Sequence, residues 1–283
     1  MTAQRNAIAR SPARVDDLAR IIAERIDGDA KRLAAEWDNP SGTSTRHFIV
    51  DDLLPESMAR DVNAAFPQDQ PIWVQQKSFR ERKKTFAKLG VVDPLIADIT
   101  DAFHKPPVLE AVKRITRLTG LEADPELYAG GISMMGRGDF LNPHIDNSHD
   151  AIRARYRRLN LLYYISRDWR DEYGGNFELW DAAVTKPKLI TSKYNRLVVM
   201  ETNKLSWHSV NPVVVDKNRC CISNYYFSKA CPEERDYYHV TSFVGRPQQP
   251  LKRLWGRVDN FMRQWIAVNL KISRGKSQAR FSK

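Results

Sequence analysis

Cysteine is scarce: Cys220, Cys221 and Cys231 are the whole set in 283 residues. A small, odd number without Cys-x-x-Cys spacing argues against a disulfide framework and against a zinc ribbon. No apolar run reaches 18 residues, so no spanning helix is expected. Met1 to Arg20 lacks the apolar stretch of a secretory leader, which together with the cysteine usage leads to a reducing, cytoplasmic setting. Repeats and low-complexity segments are absent too. Acidic charge is in short supply, with 34 Asp/Glu against 45 Lys/Arg and a net charge of +11. The deficit is local. From Arg246 to Lys283 there are ten Lys/Arg and one acid, a net of +9, while the rest of the chain is close to neutral at +2. Such a tail suits an anionic partner, either acidic lipid at the inner membrane face or a phosphorylated or carboxylated substrate. Nucleic acid is disfavoured, and a solvated surface helix fits equally well.

What is present falls into three stretches. Residues 1–127 read as a helical support region. Val15 to Trp37 carries Leu18, Ile21, Ile22, Ile26, Leu33 and Trp37 near a 3.6 period, which predicts one helix stopped by Asn39-Pro40-Ser41-Gly42. Arg46 to Val50 predicts a strand, Glu56 to Phe66 a helix, Lys77 to Lys88 an exposed basic loop, and Asp93 to Leu118 helix interrupted at Pro106-Pro107. Residues 128–228 form a β core. Short β-branched and aromatic runs predict strands at Gly131–Met135, Leu159–Ile165, Asn176–Trp180, Leu189–Thr191, Leu197–Glu201, Ser206–Val215 and Cys220–Phe227, the pattern of a sandwich or barrel. Residues 229–283 form a basic extension that leaves the strand region after Tyr238. Leu251 to Ile272 predicts an amphipathic helix with Leu254, Trp255, Val258, Phe261, Met262, Trp265 and Ile266 on one side, suited to a membrane interface or to docking on the body.

The chemistry lies in the β core. His144 and Asp146 form a His-x-Asp element, and side chains two apart on an extended segment share a face. His208 follows 62 residues after Asp146. Two imidazoles and one carboxylate are what a mononuclear non-haem Fe(II) needs on one face, the other face remaining open for a co-substrate and O2. A barrel interior can gather such residues from separate strands. Arg219, 11 residues past His208, suits the far carboxylate of a 2-oxoacid through two parallel hydrogen bonds; a surface cap at a strand start is its plainer role. The other histidines, His47, His104, His149 and His239, read as structural or exposed, with His149 near enough to be a spare ligand.

Tyr128 to Phe227 resembles the prolyl-4-hydroxylase-like branch of the Fe(II)/2-oxoglutarate dioxygenases. The resemblance rests on His144-Ile145-Asp146-Asn147, Leu161 to Trp169, Gly174-Gly175-Asn176-Phe177-Glu178-Leu179, Asn195 to Met200, His208-Ser209-Val210 and Arg219, in matching order over about 100 residues. It implies a mainly β fold, a double-stranded β-helix (jelly-roll) packed by N-terminal helices. It also implies Fe(II) held by His144, Asp146 and His208, with 2-oxoglutarate as co-substrate, O2 as oxidant and ascorbate as an accessory reductant. Arg219 would take the distal carboxylate, Tyr164 would share it, and Ser223, on the face of Arg219, would add a hydroxyl. Met134 and Cys221 depart from the co-substrate contacts of relatives. Asp146 keeps the carboxylate that related halogenases lack, so hydroxylation of an unactivated C–H bond is the implied outcome.

Other chemistries account for less of this pattern. A cupin would require a second His-x-His element, and a zinc hydrolase would leave Arg219 and the Gly-Gly run without a role. A membrane- or polyanion-associated module without turnover would place the working part in the tail. Specificity is assigned to the stretches Trp73–Lys88, Asn147–Arg158 and Arg167–Tyr173. Lys77, Arg80, Arg82, Lys83 and Lys84, with Arg153, Arg155, Arg157 and Arg158, read either as a solvated face or as the rim for an anionic small molecule, glycan or peptide.

Overall fold

The computed structural model describes residues 10–251 together with Arg253 and Met262. Apart from Leu251, Arg253 and Met262, the amphipathic helix expected over Leu251 to Ile272 and the basic tail to Lys283 lie outside the described residues. No described helix is long and apolar enough to cross a membrane.

Helices α1 (Pro12–Gly28), α2 (Ala30–Asp38), α3 (Glu56–Ala65), α4 (Pro94–Ala102) and α5 (Pro106–Thr116) precede the β core. Local chemistry sets their ends. Ser11 caps α1 through the Arg14 amide, Asp93 caps α4 through the Leu95 amide at 2.9 Å, and proline opens α1, α4 and α5. The single helix expected over Val15 to Trp37 is two. Gly28 ends α1 and Asp29 leaves helical geometry at φ −108°, ψ 13°. The Asp29 carboxylate then holds Arg25 at 3.0 Å and Arg32 at 2.8 Å across the joint.

The strands are β1 (His47–Val50), β2 (Val74–Lys77), β3 (Glu81–Phe86), β4 (Leu121–Ala123), β5 (Gly131–Met135), β6 (Phe140–Ile145), β7 (Tyr156–Tyr164), β8 (Phe177–Trp180), β9 (Pro187–Ile190), β10 (Arg196–Glu201), β11 (His208–Val210), β12 (Arg219–Ser228) and β13 (Ser242–Phe243). They pair antiparallel in the order β1-β10-β7-β12-β5-β3-β6-β11-β8-β9, with β2 on β3, β4 on β12 and β13 on β6. The path curls on itself as a double-stranded β-helix: β1, β10, β7, β12 and β5 form a larger sheet backed by helices, and β6, β11, β8 and β9 form a smaller one facing it. Alternation divides the side chains. Leu197 and Val199 of β10 join the core under the helices, whereas Val198 and Met200 join the core between the sheets. Strand β7 is buried on both faces, Arg157, Arg158 and Asn160 included.

Three expectations need correction. Residues 77–88 are not an exposed loop but most of the β2–β3 hairpin, and β3 links β5 to β6. Its polar face looks inward at the site and its other face holds Arg82 on Asp139 at 3.1 Å, so no apolar alternation marks it. The strand expected over Ser206 to Val215 shortens to β11. The chain does not leave the sheet after Tyr238, because β13 pairs Ser242 with Ile145 and Phe243 with His144.

Candidate active site

The interior end of β6 and β11 carries the candidate metal ligands. His208 pairs directly with His144, and Val210 pairs with Leu141, so β6 spends three residues where β11 spends two. This irregularity turns both Leu141 and His144 inward. Asp146 follows just past β6. The Nε2 atom of His144 lies 3.7 Å from the Asp146 carboxylate, that of His208 lies 3.8 Å from it, and one ligand atom from each residue falls within 4.8 Å of the others. Among the described residues this is the one such group of three. Each imidazole is oriented by its own strand: Nδ1 of His144 meets the Asn142 carbonyl at 3.0 Å and Nδ1 of His208 meets the Ser206 carbonyl at 2.9 Å. A proton on Nδ1 satisfies those carbonyls and leaves Nε2 as a lone pair aimed at the common point.

Electrostatics favour the ligand form of all three. Burial, then the neighbouring His208, push His144 down to about 3. Burial likewise lowers His208, so both rings are neutral at physiological pH. Burial works against the Asp146 charge, but Arg157 first, then His208, His144 and Lys83, hold it at about 2. The Phe243 ring stacks on His144 with centroids 5.0 Å apart and planes at 17°.

Arg157, expected either on a solvated face or at the rim of the site, lies at neither. It is 1% exposed, its Nη1 lies 3.4 Å from Asp146, and its guanidinium rests 4.0 Å over the Tyr225 ring. A second register shift accounts for this: Tyr226 pairs with Leu159 but Phe227 pairs with Arg157, so Arg158 is an extra residue in β7. Leu159 points to the helices, and the bulge returns Arg157 to the interior. Its neighbours are also committed. Arg155 is held by Asp150 at 2.9 Å, by Glu122 at 3.5 Å and by Asp124 at 3.6 Å; Arg158 is buried; Arg153 lies 4.0 Å over Tyr238. His149 does not join the metal group; its Nδ1 meets Ser148 Oγ at 2.8 Å and its ring packs 4.3 Å from Tyr156.

Deeper in the barrel, Arg219 opens β12 at 4% exposure. Its Nε donates to Ser192 Oγ at 3.1 Å, Nη1 reaches Met135 Sδ at 3.7 Å, and the guanidinium lies 4.7 Å over the Tyr164 ring. Among the described residues no carboxylate pairs with it. Ser192, which sequence reading missed, relays to the Gly175 carbonyl at 2.7 Å. Gly175 is required here: a Cβ would stand 3.0 Å from Val213, 3.1 Å from Trp169 and 3.5 Å from Arg219. Tyr164 is fully buried and its hydroxyl has no hydrogen-bond partner. Burial raises that phenol well above its ordinary value although Arg219 opposes the rise. Ser223 lies on the same face of β12, beyond Cys221, with its Oγ 3.8 Å from Cys221 Sγ.

These residues fit a ferrous ion and a dicarboxylate. Three inward donors meet at one point. A buried guanidinium with no counter-ion and an unpartnered phenol wait at the other end of the same interior.

Residues 130–227 match the model of the 2OG-Fe(II) oxygenase superfamily, a span that holds all three donors together with Tyr164, Arg219 and Ser223. No curated protein sequence matches the chain. Similar solved structures include a prolyl hydroxylase from Trichoplax adhaerens in complex with a hypoxia inducible factor oxygen degradation domain peptide, at 17% identity over 78% of this chain and 95% of that one, TM-score 0.49. A Pseudomonas putida prolyl-4-hydroxylase is 16% identical over 70% of this chain and 99% of that one, TM-score 0.49. HygX from Streptomyces hygroscopicus, with nickel, 2-oxoglutarate and hygromycin B bound, is 11% identical over 73% of this chain and 90% of that one, TM-score 0.46. The strands that gather these donors and the strand that returns Arg219 to them are thus the part of this chain that is similar to the 2OG-Fe(II) oxygenase superfamily.

Proposed function

We propose that the protein hydroxylates an unactivated C–H bond of a small-molecule, glycan or peptide substrate, with 2-oxoglutarate as co-substrate. The observation that carries this reading is one interior holding both the buried His144, Asp146, His208 group and a buried Arg219 that has no carboxylate partner among the described residues. His144 and His208 through Nε2, and Asp146 through its carboxylate, would hold Fe(II). The bound iron supplies the activation of O2 that couples decarboxylation of the 2-oxoacid to substrate oxidation.

The remaining roles belong to side chains. Arg219 would neutralise the distal carboxylate and Tyr164 would donate its hydroxyl to it; desolvation keeps that phenol protonated and therefore a donor. Ser223 stands four residues from Arg219, about 13 Å along a strand, so its hydroxyl serves the metal end of the pocket rather than that carboxylate. Arg157 would hold Asp146 ionised and oriented. Phe177, Leu179 and Val210 supply the apolar wall that keeps water away. An anionic substrate would not be held by Arg155 or Arg157, which are already paired. The basic tail would hold the protein to an anionic membrane surface, and ascorbate would keep the iron reduced.

The test is succinate formation from 2-oxoglutarate with Fe(II) and O2. Asp146→Ala should abolish it together with stoichiometric metal binding. Arg219→Ala should leave metal binding intact and raise the 2-oxoglutarate requirement by about 10-fold to 100-fold or more, since a charge-assisted pair is lost. Undiminished turnover in Asp146→Ala would overturn the ligand assignment.

A further inference from the structure

Strand β13 lies beyond residue 227, where the match to the superfamily ends, yet it packs on the strand that carries His144. Strand β11 occupies one edge of β6, and two strands share the other. Strand β3 takes the beginning of that edge, with Arg82 opposite Phe140 and Glu81 opposite Leu141. Strand β13 takes its end, with Phe243 opposite His144 and Ser242 opposite Ile145. The Val244 amide donates to the Pro143 carbonyl at 2.8 Å, and Arg246 secures the segment on Glu178 at 3.0 Å.

The side chains repeat the contact made by the backbone. Residues directly opposite in an antiparallel pair share a face and touch. Here the Phe243 ring stacks on the His144 imidazole, centroids 5.0 Å apart and planes at 17°. On its Nδ1 edge the imidazole meets the Asn142 carbonyl at 3.0 Å. One hydrogen bond at the ring edge leaves the torsion about Cβ–Cγ soft, because that torsion has broad wells in histidine. A flat ring against the imidazole face stiffens it. Phe243 is 7% exposed, so that flat ring is itself held in place. His208 offers a comparison within the same site. Its Nδ1 meets the Ser206 carbonyl at 2.9 Å, and its aromatic neighbour Phe177 lies at a tilt, 5.7 Å away and at 52°.

Resting on the metal-ligand reading above, we propose that Phe243 is a positioning residue of the site. Its ring fixes the plane of His144, so that Nδ1 stays on the Asn142 carbonyl and Nε2 stays aimed at the point shared with Asp146 and His208. The functional unit then runs on to residue 246.

The experiment combines Co(II) titration with nitrogen-15 NMR of the histidine rings in the metal-free, full-length protein. Phe243→Leu keeps an apolar side chain and removes the flat ring; Phe243→Tyr keeps the ring. Phe243→Leu should weaken Co(II) by about twofold to tenfold, the worth of an aromatic pair. In the same variant His144 should lose its single Nδ1-protonated tautomer while His208 keeps its own. Phe243→Tyr should restore both readouts. Ile26→Val, a fully buried α1 position under the larger sheet, should lower Tm and leave both readouts unchanged. Wild-type Co(II) affinity or an unchanged His144 tautomer in Phe243→Leu overturns the proposal, and so does an equal change at His144 and His208; the metal-ligand reading survives each of these. Failure of the unaltered protein to bind Co(II) overturns that reading and the proposal with it.

Discussion

Arg246 ties the end of the described chain to the smaller sheet, and removing it has a calculable cost. Its Nη1 and Nη2 donate to the two oxygens of Glu178 at 3.0 and 2.6 Å, and Nη2 also reaches the Val210 carbonyl at 3.2 Å. Glu178 further accepts from Ser209 Oγ, which accepts from the Trp180 indole at 2.7 Å. The side chains are 16% and 4% exposed, so solvent screens the pair little. Arg246→Met leaves a buried carboxylate with one hydroxyl for company, at a cost of about 3 kcal/mol, the lower end for breaking a buried pair. For a chain of this size that lowers Tm by roughly 6–10 °C. The double variant Arg246→Met/Glu178→Gln has no orphan charge and should recover at least half of the loss. Urea and thermal melts of the four proteins in the cycle give the coupling directly. Loosening of β13 would also free Phe243 from His144, so Co(II) affinity should fall in the single variant. A Tm change below about 2 °C, or a double variant as unstable as the single one, would refute the inference that this pair is a buried clasp.

Acid should destabilise the fold through its buried histidines. His47 is fully buried with Nδ1 on the Thr45 carbonyl at 2.9 Å, and burial first, with Lys188 adding to it, pushes its ring down to about 4. The unfolded ring takes a proton near pH 6.5 and the folded one does not, so stability is lost as pH falls from 6.5 towards 4, by about 2–3 kcal/mol at pH 4.5. His47→Gln should remove that share of the pH dependence in urea melts at pH 7 and 4.5; equal slopes in both proteins would exclude it. At the candidate metal site, Arg157→Met should raise the Asp146 pKa from about 2 because burial is then opposed by less positive charge. The Asp146 carboxylate band in infrared difference spectra of the metal-free protein should titrate about one pH unit higher; an unmoved band would mean that Arg157 does not govern Asp146.

That His144, Asp146 and His208 come together in one interior, with Arg219 buried, was legible in sequence because simple rules that need no coordinates point to it. His144 and Asp146 share a face through the two-residue period, and Arg219 opens an apolar run that must be buried. The β3 hairpin was hidden because a strand with a site on one face and ion pairs on the other has no apolar alternation to display. Strand β13 is two residues long, too short for any pattern. Ser192 left no signal either: a serine between a strand and a turn is ordinary until Arg219 is seen to donate to it. The break between α1 and α2 had a local cue in Gly28-Asp29, outweighed by an apolar period that continues across it.

Arg157 is the instructive miss, because the rule that reveals His144 and Asp146 sends Arg157 the wrong way. Strict alternation from Leu159 and Leu161, both under the helices, would place Arg157 there as well, among apolar side chains. The extra residue at Arg158 reverses the parity for the residues before it. A matching irregularity in β6 lets Leu141 and His144 face the interior together. The candidate site thus depends on two places where the ladder slips by one residue, one delivering a candidate metal ligand and the other the cation beside the neighbouring carboxylate. Regular strands build the wall of this barrel, and its departures from regularity aim the polar groups into it. Side-chain chemistry can therefore be read from composition and spacing, while its direction depends on register, which is settled between strands distant in the chain.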